Sequence, residues 1–230
     1  NVAVGAWAIN VGNAGNYNVA IGEQSLVDVT GNSNIGIGFQ ALFELTGGVQ
    51  NICIGQGAGD LMTTSSNNVL IGVSAGTDIL AGQTLTDGTV AVGKSALENL
   101  TNGARNTAVG FQASTALTTG VDNTSLGYTA LDELVDGNYN TAIGAYALGD
   151  MVGGTTSDGS SHNTALGYNA AGGTWADQDC SNLVAIGSGA LRGALAGDTA
   201  DGTVAIGSSA LAALTSGQYN TAIGYNSMDE

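Results

Sequence analysis

The chain has 230 residues, with 38 glycines and no proline, which excludes collagen and proline-rich disorder. Charged residues are 10%, with 19 acids against the three bases Lys94, Arg105 and Arg192, for a formal net charge of −16. That balance weighs against nucleic acid or an anionic membrane surface as a partner, and no apolar run reaches the ~18 residues of a bilayer span, so no membrane insertion is expected.

The first element is already a repeat. Asn1-Val-Ala-Val-Gly5 opens a five-residue phrase whose cleanest copy is Asn140-Thr-Ala-Ile-Gly144. It recurs thirteen times, ending at Gly5, Gly22, Gly38, Gly55, Gly72, Gly93, Gly110, Gly127, Gly144, Gly167, Gly187, Gly207 and Gly224, with 17 residues the commonest step. A fixed short period predicts stacked coils, each able to bury its apolar side only against its neighbours. The expected fold is all-β, a β-solenoid of about 13 coils of about 17 residues. The phrase begins at residue 1 with no signal peptide before it, and the sequence reads as a fragment of a longer chain.

Within the phrase, position two is Val, Ile or Thr, and position four is Val, Ile or Leu. Position three is small, as at Ala142, except at Leu70. Alternation with β-branched residues is a strand signature. The branched side chains, such as Ile143, are expected to fill the coil interior. The alanine stripe then faces outward, where another layer or a further copy of the protein packs over it. Asn at position one, as in Asn140, suits a corner that tolerates left-handed backbone, and stacked Asn side chains can pair from coil to coil. Gly at position five needs positive φ or admits a neighbouring backbone.

A second phrase follows, as in Ser95-Ala-Leu-Glu-Asn-Leu-Thr-Asn-Gly103, with Leu97 and Leu100 three apart. Leu42 and Leu45, Leu131 and Leu134, and Leu211 and Leu214 repeat that spacing. With a Ser or Thr before and a Gly after, it predicts a short helical or 3₁₀ turn per coil. A second short strand is the alternative.

Along the chain, 1–230 reads as one repeat array. Coils are regular over 1–76 and 89–148, carry longer loops at 77–88 and 149–203, and are regular again over 204–230. Insertions in a solenoid map to loops on one side, often where binding resides. The stretches Ala81-Gly-Gln-Thr-Leu-Thr-Asp-Gly-Thr-Val-Ala-Val-Gly93 and Ala196-Gly-Asp-Thr-Ala-Asp-Gly-Thr-Val-Ala-Ile-Gly207 are alike, which suggests duplication of an insertion with its coils. Cys53 and Cys180 lie seven coils apart, about 30 Å at ~4.8 Å per strand, beyond disulfide reach.

No catalytic constellation is present, and no enzyme is expected. His162 sits beside Ser160 and Ser161 without a metal or triad partner, and no nucleophile elbow or phosphate loop occurs. No cofactor is expected. Asp177 and Asp179, or Asp198 and Asp201, have a spacing that can hold calcium, but the Asp-bearing nonapeptide of calcium-binding rolls is missing and solvated loop acids are the better reading. Acids on neighbouring coils leave a tailspike-like polysaccharide hydrolase as a lesser reading. Phe39, Phe111, Tyr128, Tyr168 and Tyr225 follow corner glycines, while Tyr17, Tyr139 and Tyr219 precede a phrase. These aromatics can pack at corners or bind sugar rings. Trp175, in an inserted stretch with Asp177 and Asp179, is the candidate exposed anchor.

Asn140-Thr-Ala-Ile-Gly-Ala-Tyr-Ala-Leu148 and Asn220-Thr-Ala-Ile-Gly-Tyr-Asn-Ser-Met228 resemble the Gly-rich repeats of phage tail fibres and large bacterial surface proteins. Val184-Ala-Ile-Gly-Ser-Gly-Ala190 is similar to the head motif of trimeric autotransporter adhesins, whose period is shorter. Both resemblances imply a homotrimer stacked along a threefold axis. They also imply an extracellular location, on a virion or cell surface, and attachment to a glycan or protein receptor. The longer period favours the phage-type fibre over the bacterial adhesin. An ice-binding solenoid would need a flat outward Thr ladder, and the Thr row is expected to be buried.

Overall fold

The computed structural model describes residues 1–79, 87–149, 159–173, 180–193 and 200–228. Each phrase forms a three-residue strand, and the chain divides into two compact units. Unit Asn1–Phe111 holds β1 (Val2–Val4), β2 (Val19–Ile21), β3 (Ile35–Ile37), β4 (Ile52–Ile54), β5 (Val69–Ile71), β6 (Val90–Val92) and β7 (Thr107–Val109). Unit Gln112–Glu230 holds β8 (Thr124–Leu126), β9 (Thr141–Ile143), β10 (Thr164–Leu166), β11 (Val184–Ile186), β12 (Val204–Ile206) and β13 (Thr221–Ile223). Inside each unit, strands pair in chain order, all parallel and in register, so Ile52 sits beside Val69 and Thr141 beside Thr164. The fold is an all-β parallel β-solenoid, with no helix among the described residues.

The faces of the strand are the reverse of the sequence expectation. Position three points inward: Ala20, Cys53, Ala91, Ala142, Ala165, Ala185 and Ala205 are all fully buried. Positions two and four, Ile143 included, point outward and are only partly covered. The reason is what else occupies the interior. The second phrase drives Ala41, Leu42 and Leu45, or Ala96, Leu97 and Leu100, into the coil from the opposite wall, all fully buried. Each such leucine contributes about 1.5–3 kcal/mol on burial, and a pair of them leaves room on the strand for only a small residue. The alanine stripe is therefore covered by its own coil and is not a subunit contact.

Exceptions along the inner row are matched by changes opposite. Leu70 replaces Ala, and the wall positions that hold Leu42 and Leu97 elsewhere become Gly59 and Gly76. A Cβ on Gly76 would lie 3.0 Å from both Leu70 methyls. Ser125 replaces Ala, and Ser114 on the facing wall donates its hydroxyl to Ser125 Oγ at 2.8 Å.

The second phrase forms neither a helical turn nor a strand. It is a run of turns in which alternate residues are left-handed, with φ of 55° at Gln40 and 54° at Leu42. A left-handed non-glycine residue costs about 1–2 kcal/mol, which inter-coil hydrogen bonds offset here. The Gln40 amide donates to Glu23 O on the preceding coil, and the Leu42 amide donates to Ala58 O on the following one, each at 3.0 Å. A helix would have kept these donors within one coil.

The corners carry the stacking. Buried Asn side chains form a ladder: the backbone amides of Asn34, Asn51 and Asn68 donate to Oδ1 of Asn18, Asn34 and Asn51. Nδ2 of Asn18, Asn34 and Asn51 also reaches a carbonyl on the next coil, as Asn51 does to Ser65 O at 2.8 Å. The second unit repeats this at Asn123, Asn140 and Asn163. The left-handed residue at this corner is the one before the Asn, such as Tyr139 with φ 58°, rather than the Asn itself. Where Thr89 and Thr203 replace Asn, their hydroxyls are buried without a hydrogen-bond partner. At the opposite corner Gly144 has φ 134°, and a Cβ there would stand 2.6 Å from the Gly167 carbonyl carbon. Both requirements expected of that glycine apply at once. Gly127 meets Gly144 in the same way, and Gly110 and Gly224 share its φ region.

Candidate functional site

Two outward ladders run along each unit's sheet. Position two reads Val2, Val19, Ile35, Ile52, Val69, Val90, Thr107 in the first unit and Thr124, Thr141, Thr164, Val184, Val204, Thr221 in the second. Position four is aliphatic throughout, and Ile21, Leu126 and Leu166 are over a third exposed, at 38%, 46% and 44%. No charged residue occupies either position in any coil, although the chain carries 19 acids. The Thr row, expected inside, is therefore on the surface. It includes three consecutive threonines, 124, 141 and 164, in register on β8, β9 and β10.

An aromatic row borders this face after the corner glycines. In the second unit Tyr128, Tyr146 and Tyr168 lie on successive coils, with ring centroids 5.4 and 5.9 Å apart and rings edge to face. The Tyr146 phenol is pushed up, first by desolvation and then by its Tyr128 and Tyr168 neighbours. Tyr146 is absent from the sequence expectation because it stands two residues after its glycine, a place that is aromatic in only one other coil, at Trp7. On the other border Tyr139 and His162 stack at 5.0 Å, so the lone loop histidine has an aromatic partner. In the first unit the same row holds Phe39, Val73 and Phe111, all exposed, alternating with Glu23, Gln56 and Lys94, and Lys94 Nζ lies 5.9 Å from the Phe111 ring.

The candidate anchor Trp175, together with Asp177, Asp179 and Asp198, lies outside the described residues. Asp201 is described, and it is a corner brace: its Oδ1 accepts from the Ser181 amide at 2.8 Å. Asp87, at the matching place in the duplicated stretch, accepts from the Ser66 amide at 2.7 Å. Among the described residues no group of three His, Cys, Asp or Glu side chains is placed to hold a metal ion, and no helix is long and apolar enough to cross a membrane. Cys53 and Cys180 are buried and form no disulfide, and desolvation pushes the Cys53 thiol far up, which leaves it a small core residue.

In chain order the four lengthened coils take in their extra residues at one point of the repeat, between the turn segment and the residue that opens the next phrase, Thr89, Asn163, Leu183 or Thr203. Segments 80–86, 150–158, 174–179 and 194–199 all fall there in chain order. Geometry defines the class of protein as an all-β parallel β-solenoid whose outward strand positions carry no charge. Comparison with protein families, with curated proteins and with solved structures finds no match.

Proposed function

We propose that the chain is a structural and adhesive segment of an extracellular trimeric fibre, a phage tail fibre or similar receptor-binding fibre, that attaches to a glycan or protein on a cell surface. The observation that supports this most is the contrast between an invariant stack and its insertions. Glycine corners repeat coil after coil and Asn ladders link Asn18 through Asn68 and Asn123 through Asn163, while in the sequence every lengthened step falls at the same point of the repeat. Such an architecture suits a repetitive scaffold whose sequence varies mainly at one point of the repeat. Three copies on one axis raise avidity through effective concentration without any single strong contact. The reading assigns the chain no catalytic step and no cofactor. Light scattering at several protein concentrations tests it. A mass of three times 22.6 kDa that persists on dilution is the expected outcome, and a monomer at all concentrations overturns the trimeric fibre.

A second reading has one observation in its favour. Thr124, Thr141 and Thr164 form the outward, in-register Thr row that an ice-binding solenoid requires. A monomeric mass together with a gap between freezing and melting points would put that reading first.

A further inference from the structure

We infer that the uncharged strand face, positions two and four of each coil, is the surface by which copies of this chain join one another. The inference rests on the trimeric reading and identifies its interface. A parallel sheet is almost always covered on both faces, and here only the inner face is covered, by the coil's own turn wall. A three-residue strand gives each coil a footprint of about 10 by 4.8 Å, so the first unit's seven strands present roughly 340 Å² and the second unit's six roughly 290 Å². Apolar patches of that size mark interaction sites. The bordering Phe39, Val73 and Phe111 or Tyr128, Tyr146 and Tyr168 enlarge each unit's patch, which taken one unit at a time is smaller than the ~800 Å² per partner of a standard interface.

Charge and spacing select the occupant. With a net charge of −16, most ways of bringing two copies together oppose like charges. The strand positions carry no charge at all, so this face lets copies approach closely without burying an unpaired carboxylate. The ladders are also corrugated at the strand spacing of about 4.8 Å. A partner that follows them over several coils must carry the same period, as a second copy does. The face is β-branched or leucine at every coil, which keeps its relief uniform even where Val gives way to Thr.

Ile54→Lys and Ile143→Lys place a cation in each unit's face, and Thr64→Lys, at an exposed turn position, is the control. The expected result is a threefold drop in mass to 22.6 kDa for either face variant, with an unchanged circular dichroism spectrum, while the control keeps the wild-type mass. Face variants that remain trimeric would overturn this interface and leave the trimeric reading standing. A monomeric wild type would overturn both. Should a lysine variant fail to fold, Ile54→Cys answers the same question under mild oxidation, since Cys53 and Cys180 are buried. Intermolecular disulfide in Ile54→Cys but not in Thr64→Cys supports the assignment, and its absence in both overturns it.

Discussion

The two units share one backbone plan and differ in what they show to the outside. At position two the first unit holds Val or Ile on its first six strands and Thr only at Thr107, whereas the second holds Thr on four of its six strands. The border row changes in parallel, from Phe39, Val73 and Phe111 to Tyr128, Tyr146 and Tyr168. Shape is held while polarity varies, since Thr and Val fill nearly the same space and both suit a strand. The inner row, by contrast, changes only when its facing wall changes, as Leu70 with Gly76 and Ser125 with Ser114 demonstrate. The interior is thus held by volume and hydrogen bonding, and the outward face by outline.

The largest effects should ignore the difference between the units. Gly55 and Gly144 have φ of 140° and 134°, and a Cβ on either would collide with the glycine carbonyl of the next coil. Gly55→Ala and Gly144→Ala are each expected to cost on the order of 3–5 kcal/mol, measured by urea unfolding. A marked gap between the two would mean that the units do not share a corner after all.

The Asn ladder should separate them. Asn51 Oδ1 accepts from both the amide and Nδ2 of Asn68, while its own Nδ2 donates to Asn34 Oδ1 and Ser65 O. Asn163 accepts from the Leu183 amide and donates to Cys180 O, and the Leu183 side chain carries the ladder no further. Asn51→Ala is expected to cost about 3 kcal/mol and Asn163→Ala about 2, because each leaves buried donors and acceptors unpaired. Equal losses in the urea midpoint would mean that the side-chain links between successive Asn add nothing to the backbone ones.

Period, strands and both corners were legible in the sequence, because glycine and asparagine recur where backbone geometry admits little else. Which side of the strand faces in was not legible. Alternation separates two faces without saying which is inside, and the answer lay in the Leu42 and Leu45 type pairs on the opposite wall. Those pairs suggested a helical turn because a spacing of three fits one. A run of left-handed turns brings the same leucines inward, and residues such as Gln40, Leu42 and Tyr146 give no local sign that their φ is positive. The Gly59 and Gly76 substitutions opposite Leu70 were readable as compensation, but only once the inner row was known. Of the candidate binding residues, the Tyr128 and Tyr168 row stands on the surface, whereas Asp201 braces a corner.

The smallest expected effect concerns charge. The first unit carries acids at neighbouring turn positions of five successive coils, Asp28, Glu44, Asp60, Asp78 and Glu98, while the second has Asp132 and Glu133 on one coil but Gly172, Arg192 and Ala212 at matching places on three others. Desolvation, then Glu44, raises the Asp60 carboxyl above its ordinary 3.8, and desolvation with Glu98 does the same to Asp78. A carboxyl whose folded value is raised holds its proton more tightly in the native state. Its ionisation therefore weakens the fold, and the loss sets in as pH rises from about 3.8 through the raised value. Asp60→Asn should accordingly raise the urea midpoint at pH 7, by less than about 1 kcal/mol because the pair is solvated. As pH falls below 3.8 and Asp60 becomes mostly protonated in both states, the variant and wild type should converge. If the difference between them is the same at pH 7 and at pH 3.5, the stacked acids of the first unit exert no net repulsion. The contrast with the second unit, where Gly172, Arg192 and Ala212 interrupt the row of acids, would then carry no energetic weight.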